Sequence, residues 1–191
     1  MPQPSYVDPG YFEQLYARDP DPWRFASSDY ERDKYAATLE ALPPGRCTRG
    51  FEVGCSIGVF TRQLAARCDE LLAVDVSAIA LRQAEERCED QPWVEFRPMD
   101  ARREWPDGSF DLILFSEVLY YLGIDGIHAA AKQTLDSLAP GGTVALVNWH
   151  GPTDGACTGD EAATMFIADC APRLSPIVQR RAEKYRLDVL R

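Results

Sequence analysis

Short apolar runs alternate with amphipathic segments along the chain from Gly50 onward. The run Phe51-Glu52-Val53 predicts a brief strand that ends at Gly54. The segment from Val59 to Arg67 carries apolar residues at helical spacing and predicts a helix. A strand followed by a helix, repeated along a chain, is typical of βαβ units. The pattern therefore predicts an α/β fold with a mainly parallel sheet.

The same alternation continues toward the C-terminus. Ser77 is a suitable N-cap for an alanine- and glutamate-rich helix that runs to Cys88. Two short β-like pieces near the end, Ile177-Val178-Gln179 and Arg186 to Leu190, predict an antiparallel hairpin at the sheet edge. Further strands are predicted at Leu71–Val74, Val94–Phe96, Phe110–Phe115 and Thr143–Trp149, and further helices at Asp125–Leu138, before Pro140-Gly141-Gly142, and at Thr158–Cys170.

The segment before the first strand is rich in aromatic residues, unlike a disordered leader. We expect this arm, residues 1–45, to pack over the ligand site of a core formed by residues 46–191. At 191 residues, the chain predicts a single domain. The aromatic residues of the arm are Tyr11, Phe12, Tyr16, Trp23, Phe25, Tyr30 and Tyr35.

Charge and composition narrow the possible partners. The formal net charge is −10, which argues against binding to a phosphate backbone and favours a neutral or cationic small molecule. The apolar runs have strand length and fall far below the roughly 20 residues of a membrane span. The N-terminus lacks a basic segment followed by an apolar one, so we expect no secretory signal and a cytoplasmic protein. Six dispersed cysteines form no Cys-x-x-Cys pair, and we predict no metal site.

A glycine-containing turn follows the first predicted strand, where open α/β sheets bind their ligands. Gly54 can adopt backbone angles closed to other residues, and Gly58 permits close approach of helix and ligand. A dinucleotide fingerprint would also need glycine at positions 56 and 59, which are Ser56 and Val59 here. Glu52 would repel a pyrophosphate, whereas its carboxylate could orient a cationic amino-acid group. The turn therefore favours a sulfonium-type cofactor over NAD.

Two aspartates follow the next two strands. Asp75 ends the second strand, where a carboxylate can accept hydrogen bonds from both ribose hydroxyls. The alternative for Asp75 is to cap the following helix in competition with Ser77. Asp100 follows the third strand and could accept from an adenine amino group, with Met99 or Ala101 as an apolar contact. The alternative for Asp100 is a solvated loop acid.

These motifs, in this order, resemble those of class I S-adenosylmethionine methyltransferases. The matching segments are Glu52 to Thr61, Val74 to Ser77, Phe110 to Ile113, and Leu138 to Gly142. More narrowly, Asp21 to Arg24, Tyr30 to Tyr35 and Ser116 to Leu122 resemble the NodS-type methyltransferases, which N-methylate an amino sugar of nodulation factors. The resemblance covers about Tyr11 to Trp149, and the region from Trp149 to Cys170 does not map onto that family.

The resemblance implies a Rossmann-like class I methyltransferase sandwich. Its sheet would be seven-stranded and mainly parallel, with an antiparallel C-terminal hairpin and an N-terminal helical and aromatic arm. The cofactor implied is S-adenosyl-L-methionine. The predicted cofactor-binding residues are Trp23, Tyr30, Glu52, Gly54, Cys55, Ser56, Gly58, Asp75, Val76, Met99, Asp100, Ala101 and Ser116.

The predicted catalytic residues are Glu117, Tyr120 and His150. Glu117 and Tyr120 follow the central strand, and His150 ends the fifth strand, where a histidine could serve as general base. Glu117 could instead bind backbone, Tyr120 or its neighbour Tyr121 could pack in the core, and His150 could be an ordinary loop residue. Methyl transfer depends mainly on alignment and desolvation, so few catalytic side chains are expected.

We therefore predict a small-molecule N-methyltransferase that acts on an amine such as an amino sugar, as a monomer or homodimer. An O-methyltransferase is the nearest alternative. A cofactor-binding but non-catalytic partner subunit is a second one, because methyl transfer needs no obligatory catalytic residue. An NAD-dependent oxidoreductase is disfavoured by the residues at positions 56 and 59.

Overall fold

The computed structural model describes residues 6–191. The first five residues of the predicted arm, on which the expectation of no secretory signal also rests, lie outside the described residues. The described chain divides into two compact units. The first unit is Asp8–Asp100, and the second is Ala101–Arg191 with Tyr6 and Val7. That residues 1–191 form a single domain remains a prediction.

The first unit begins with the arm and continues into three parallel strands. They have the order β3-β2-β1, and β2 pairs with both neighbours. Its helices and strands are α1 (Pro9–Arg18), α2 (Asp29–Ala41), β1 (Cys47–Val53), α3 (Val59–Leu64), β2 (Cys68–Asp75), α4 (Ala78–Arg87) and β3 (Val94–Pro98).

The second unit contains four strands in the order β4-β5-β7-β6. Strands β4 and β5 are parallel, whereas β7 is antiparallel to both β5 and β6. Its elements are β4 (Phe110–Ser116), α5 (Gly123–Ser137), β5 (Leu138–Trp149), α6 (Gly159–Cys170), β6 (Pro176–Arg181) and β7 (Tyr185–Leu190). The predicted fold class is confirmed, with seven strands, mainly parallel pairing and an antiparallel C-terminal hairpin.

The predicted strand positions are correct, but β1, β2 and β5 begin earlier than expected, with β2 starting at Cys68 rather than Leu71. Strand β1 begins at Cys47, because pairing with β2 from Cys68 onward extends it beyond its apolar part. Strand β5 begins at Leu138 and includes Pro140, Gly141 and Gly142, which were expected to lie between helix and strand. A register shift between Phe110 and Leu112 accommodates this irregular start, since Phe110 pairs with Leu138 and Leu112 with Thr143.

Within the first unit, the described residues of the arm pack against the core, whereas packing over the cofactor site remains a prediction. Tyr16 and Tyr35 are buried. Tyr16 of α1 forms a cluster with Ile57 and Ala80, and the ring of Tyr35 stacks on Phe60 at 4.9 Å between centroids. The arm therefore contributes buried apolar area, which is the main favourable contribution to such packing.

Candidate functional site

The turn between β1 and α3 combines three residues with left-handed backbone angles. The φ values are 83° at Gly54, 51° at Ser56 and 76° at Gly58. A Cβ on Gly58 would lie 2.8 Å from the Cα and Cβ of Ala84, so a glycine allows α3 to begin this close to α4. Ser56 adopts the same region despite its side chain, at a cost of about 1 to 2 kcal/mol. The turn is a tight cradle with a strained serine at its middle.

The carboxylate of Asp75 organises this turn. Its Oδ2 accepts the Ser56 N–H at 2.9 Å, and its Oδ1 accepts the Ser77 N–H at 2.9 Å. Burial raises the pKa of Asp75, and the backbone N–H donors act in the opposite direction. Because each carboxylate oxygen can accept more than one hydrogen bond, both oxygens keep capacity for a ligand hydroxyl. Helix α4 is capped by Ser77, whose hydroxyl accepts the Ala80 N–H at 3.2 Å.

Helix α1 of the arm contacts this turn and the N-cap of α4 through two side chains that were not among the predicted site residues. The buried Tyr16 hydroxyl is hydrogen-bonded to the Ser56 hydroxyl. The Glu13 Oε2 accepts the Ser77 hydroxyl at 2.6 Å. Tyr16 lies one helical turn after Phe12, which packs on the same cluster, so this spacing was the signal that could have identified it.

The two arm residues predicted to bind the cofactor, Trp23 and Tyr30, differ in their surroundings. Trp23 is 36% exposed and stacks on Phe25 at 5.5 Å, with Tyr16 edge-on at 5.7 Å. The ring of Tyr30 lies 5.4 Å from the Nζ of Lys34. Trp23 therefore touches the aromatic cluster that borders the turn.

A buried cation accompanies Tyr30 on α2. The Lys34 side chain is 2% exposed and forms an ion pair with Glu31 at 2.9 Å. The ring of Tyr35 also faces this ammonium group, at 5.9 Å. A desolvated lysine between two aromatic rings is strongly attracted to a carboxylate, because burial removes the screening by water.

Glu52 is a buried carboxylate at the end of β1. Glu52 is 1% exposed, and neither oxygen of its carboxylate has a hydrogen-bond partner among the described residues. Burial raises the pKa of Glu52 to about 7, and the Asp75 charge raises it further. An orphaned carboxylate of this kind is suited to a cationic or hydrogen-bond-donating ligand group.

Glu52 should make the protein less stable as the pH rises from 5 to 8. Because its native pKa lies above the ordinary value of 4.5, the folded state holds the proton more tightly than the unfolded state. The stability from this proton is fully present below about pH 4.5 and is lost by about pH 7. Between pH 5 and 8 we expect wild type to lose about 2 to 3 kcal/mol more than Glu52→Gln, measured by urea unfolding.

The matched control for this experiment is Glu70→Gln on β2. The side chain of Glu70 is 72% exposed, so its substitution should retain the pH slope of wild type. The buried amide of Glu52→Gln also changes the free energy of unfolding, but by the same amount at every pH. This change therefore does not affect the pH slope that is compared. Parallel slopes for wild type and Glu52→Gln would contradict the assignment of this proton to Glu52.

The remaining predicted cofactor residues are mostly buried around strand ends. In the first unit, Gly54 and Cys55 donate their N–H groups to the Val74 carbonyl at 2.9 and 3.0 Å. The Met99 N–H donates to the Asp75 carbonyl at 3.0 Å. Cys55 and Met99 are buried, and Val76 and Asp100 are half-buried. In the second unit, Ala101 is buried and Ser116 is half-buried at the end of β4.

Glu117 is the most constrained predicted residue of the second unit. Its φ is 57°, a left-handed value that is uncommon for glutamate. Its Oε2 accepts the Tyr120 hydroxyl at 3.0 Å and the Trp149 N–H at 2.5 Å. Its own N–H donates to the Val147 carbonyl at 2.8 Å. A strained residue held by such contacts often marks a functional position. The Trp149 N–H is a partner that sequence could not identify.

Tyr120 and His150 differ in their capacity to accept or release a proton. Tyr120 is buried, and burial, followed by the Glu117 charge, raises the pKa of its hydroxyl well above the ordinary value. Its neighbour Tyr121 is half-buried. The Nε2 of His150 lies 3.1 Å from the Ala182 carbonyl. Because a carbonyl only accepts, Nε2 must carry hydrogen in this bond, which leaves Nδ1 as the one nitrogen that could act as a base.

Within residues 6–191, no helix combines the length and apolar character that crossing a membrane requires. No group of three or more His, Cys, Asp or Glu side chains in this part of the chain is arranged to hold a metal ion.

Comparison with solved structures gives a close match over the whole chain. The N-methyltransferase NodS from Bradyrhizobium japonicum WM9, in complex with S-adenosyl-L-homocysteine, has a TM-score of 0.81 and 26% sequence identity. The match covers 98% of this chain and 97% of that one.

Sequence comparisons identify the same group of proteins. Nodulation protein S of Sinorhizobium fredii is 34% identical over 124 residues, 64% of this chain and 57% of that protein. Nodulation protein S of Bradyrhizobium diazoefficiens is 36% identical over 126 residues, 65% of this chain and 60% of that protein. The matched stretch thus spans less than two thirds of these relatives. The profile of the family described as nodulation protein S (NodS) matches residues 11–181. The chain therefore belongs to the NodS family.

Proposed function

We propose that this protein binds S-adenosyl-L-methionine and transfers its methyl group to a small-molecule amine, such as an amino sugar. The observation that carries the proposal is the Asp75 carboxylate, which bonds the Ser56 and Ser77 N–H groups and keeps capacity for two ribose hydroxyls. The name of the Bradyrhizobium japonicum relative, an N-methyltransferase, supports the amine as acceptor.

The residues of the first unit fit this cofactor. The orphaned Glu52 carboxylate suits an ammonium group, and the glycine at position 58 lets the turn pack closely against Ala84 of α4. The half-buried Asp100 could accept from the adenine amino group, with the buried Met99 as an apolar neighbour. When bound, the cofactor supplies an electrophilic methyl group on a sulfonium.

The residues proposed to serve the acceptor lie in the second unit. The Glu117 carboxylate, fixed by Tyr120 and the Trp149 N–H, provides a negative charge that would favour an amine and could accept its proton. Tyr120, as a donor to Glu117, acts as a positioning residue. The hydrogen bond from His150 Nε2 to the Ala182 carbonyl favours a role for His150 in orienting the acceptor. The net charge of −10 would attract a cationic acceptor.

Two measurements test the proposal. Calorimetric titration with S-adenosyl-L-methionine, S-adenosyl-L-homocysteine and NAD should show micromolar-range binding of the first two and none of NAD. Turnover should then be measured as product release over a panel of amines and matched alcohols, including amino sugars and their hydroxyl analogues. Turnover of amines alone would support N-methylation, whereas turnover of alcohols alone would make the protein an O-methyltransferase.

A non-catalytic partner subunit is the second alternative. It predicts cofactor binding of normal affinity without turnover of any amine or alcohol. Binding of NAD alone, or of none of the three ligands, would reject the cofactor assignment itself.

A further inference from the structure

Two cysteines meet where β1 and β2 begin. Cys47 and Cys68 are direct register partners in this parallel pair, and their Sγ atoms lie 2.9 Å apart. Both are thiols in the structure. The two sulfur atoms are thus held closer than ordinary non-bonded contact, on neighbouring backbones whose spacing suits a disulfide bridge.

The surroundings keep the two sulfur atoms together. A Cβ on Gly50 would lie 2.8 Å from the Cys68 Sγ and 3.5 Å from the Cys47 Sγ, so this glycine leaves the space that the sulfurs occupy. The Arg46 guanidinium donates to the carbonyls of Ala66 and Cys68 and to the Asp69 carboxylate. These bonds fix the start of β1 against the start of β2.

The two thiols differ in accessibility. Cys68 is fully buried, whereas Cys47 is partly exposed. A dissolved disulfide can therefore reach Cys47 first, and Cys68 stands beside it as the resolving thiol. The hydrogen bond with Cys47 is the largest cause that raises the pKa of the Cys68 thiol, followed by burial. Because a mixed disulfide on Cys47 removes that hydrogen bond, Cys68 ionises more readily at the second step.

We propose that Cys47 and Cys68 are a redox modification site that forms an intramolecular disulfide by exchange with a low-molecular-weight disulfide. The Cys47 thiolate attacks one sulfur of that disulfide, which forms a mixed disulfide and releases one thiol. The Cys68 thiolate then attacks the Cys47 sulfur and releases the second thiol. The two cysteine thiols are oxidised by two electrons, the small disulfide is reduced to two thiols, and the two protons end on them.

The position of the pair predicts the consequence of oxidation. The cysteines lie at the amino ends of β1 and β2, whereas Gly54 and Asp75 follow or end these strands at their carboxyl ends. The bridge would close a loop between residues 21 apart in sequence, which restricts the unfolded chain. Oxidation should therefore raise the thermal midpoint and leave cofactor affinity unchanged. The inference does not depend on the proposed function.

The test uses the full chain incubated with glutathione disulfide and analysed without reductant. Trypsin cleaves after Arg46, Arg49 and Arg67, so the two cysteines fall on different peptides. We expect a disulfide-linked pair of these peptides by mass spectrometry. We also expect four titratable thiols after denaturation in place of the six in the sequence. The thermal midpoint should rise and return after dithiothreitol.

Three cysteine variants test whether the linked peptides and the shift in thermal midpoint require this pair. Cys47→Ser and Cys68→Ala should each abolish the linked peptides and the shift in thermal midpoint, whereas Cys157→Ser should retain both. The mapping on wild type needs no variant, so a variant that fails to fold does not affect the test. Glutathione that stays attached to Cys47, a different cysteine pair, or six free thiols after incubation would each overturn the proposal.

Discussion

Asp75→Ala is expected to weaken binding of S-adenosyl-L-methionine by roughly 100-fold or more. The proposed ribose contacts are two hydrogen bonds to a charged acceptor, worth about 1.5 to 3 kcal/mol each. The Asp75 carboxylate also holds the Ser56 and Ser77 N–H groups, so alanine removes the contacts and loosens the turn that presents them. Calorimetric titration of the purified variant measures the change in Kd.

Two further variants distinguish loss of the Asp75 charge from loss of its whole side chain, and both from a general effect of removing an aspartate. Asp75→Asn keeps one oxygen acceptor and should lose less affinity than Asp75→Ala. Asp69→Ala is the matched control, because Asp69 lies near the other end of β2 with its side chain 57% exposed. Its affinity should match wild type. A Kd for Asp75→Ala within about twofold of wild type, with the fold intact by circular dichroism, would remove Asp75 from the cofactor site.

Glu117→Gln is expected to lower kcat by roughly 100-fold or more and to leave cofactor affinity unchanged. The amide has nearly the shape of the carboxylate, and its oxygen can still accept from the Tyr120 hydroxyl and the Trp149 N–H. The variant therefore removes the negative charge and the capacity to accept a proton, for which a positioned acid or base typically contributes 10²- to 10⁴-fold. Single-turnover assays with an amine acceptor measure this effect.

The charge-matched control for this prediction is Glu104→Gln, since Glu104 is exposed in the same unit. We expect its kcat to equal that of wild type. The pH dependence of kcat distinguishes the roles of Glu117, because loss of a proton acceptor changes the profile, whereas a purely structural role lowers thermal stability without altering it. An unchanged kcat and pH profile in Glu117→Gln would exclude Glu117 from proton transfer and amine binding.

The features that could be predicted from the sequence are those with a local signal. Apolar runs of strand length and helical periodicity indicated the order of the elements, since burial selects for these periods. The N-cap Ser77 was visible because capping depends on the few residues that follow. Gly54, Gly58 and Asp75 were selected because strand ends in open α/β sheets have a defined position relative to the ligand.

The early starts of β1 and β5 could not be predicted, because pairing between distant segments sets them. The polar first half of β1 and the Pro140-Gly141-Gly142 segment of β5 have no strand-like composition. The first half of β1 is a strand because β2 offers backbone partners in register, and the Pro140-Gly141-Gly142 segment lies in the register shift between Leu138 and Thr143, which pair with Phe110 and Leu112 of β4. Backbone hydrogen bonding to a fixed neighbour outweighs intrinsic propensity at such positions.

The sequence by itself determined the fold class, the family resemblance and the turn at Gly54 to Gly58, because each depends on residue types at short spacing. Only the tertiary structure decided which distant side chains meet. Tyr16 bonds Ser56 across 40 residues, Glu117 accepts the Trp149 N–H across 32, and Cys47 touches Cys68 across 21. Such contacts carry no periodic signal, since they depend on strand pairing and helix docking rather than on neighbouring residues.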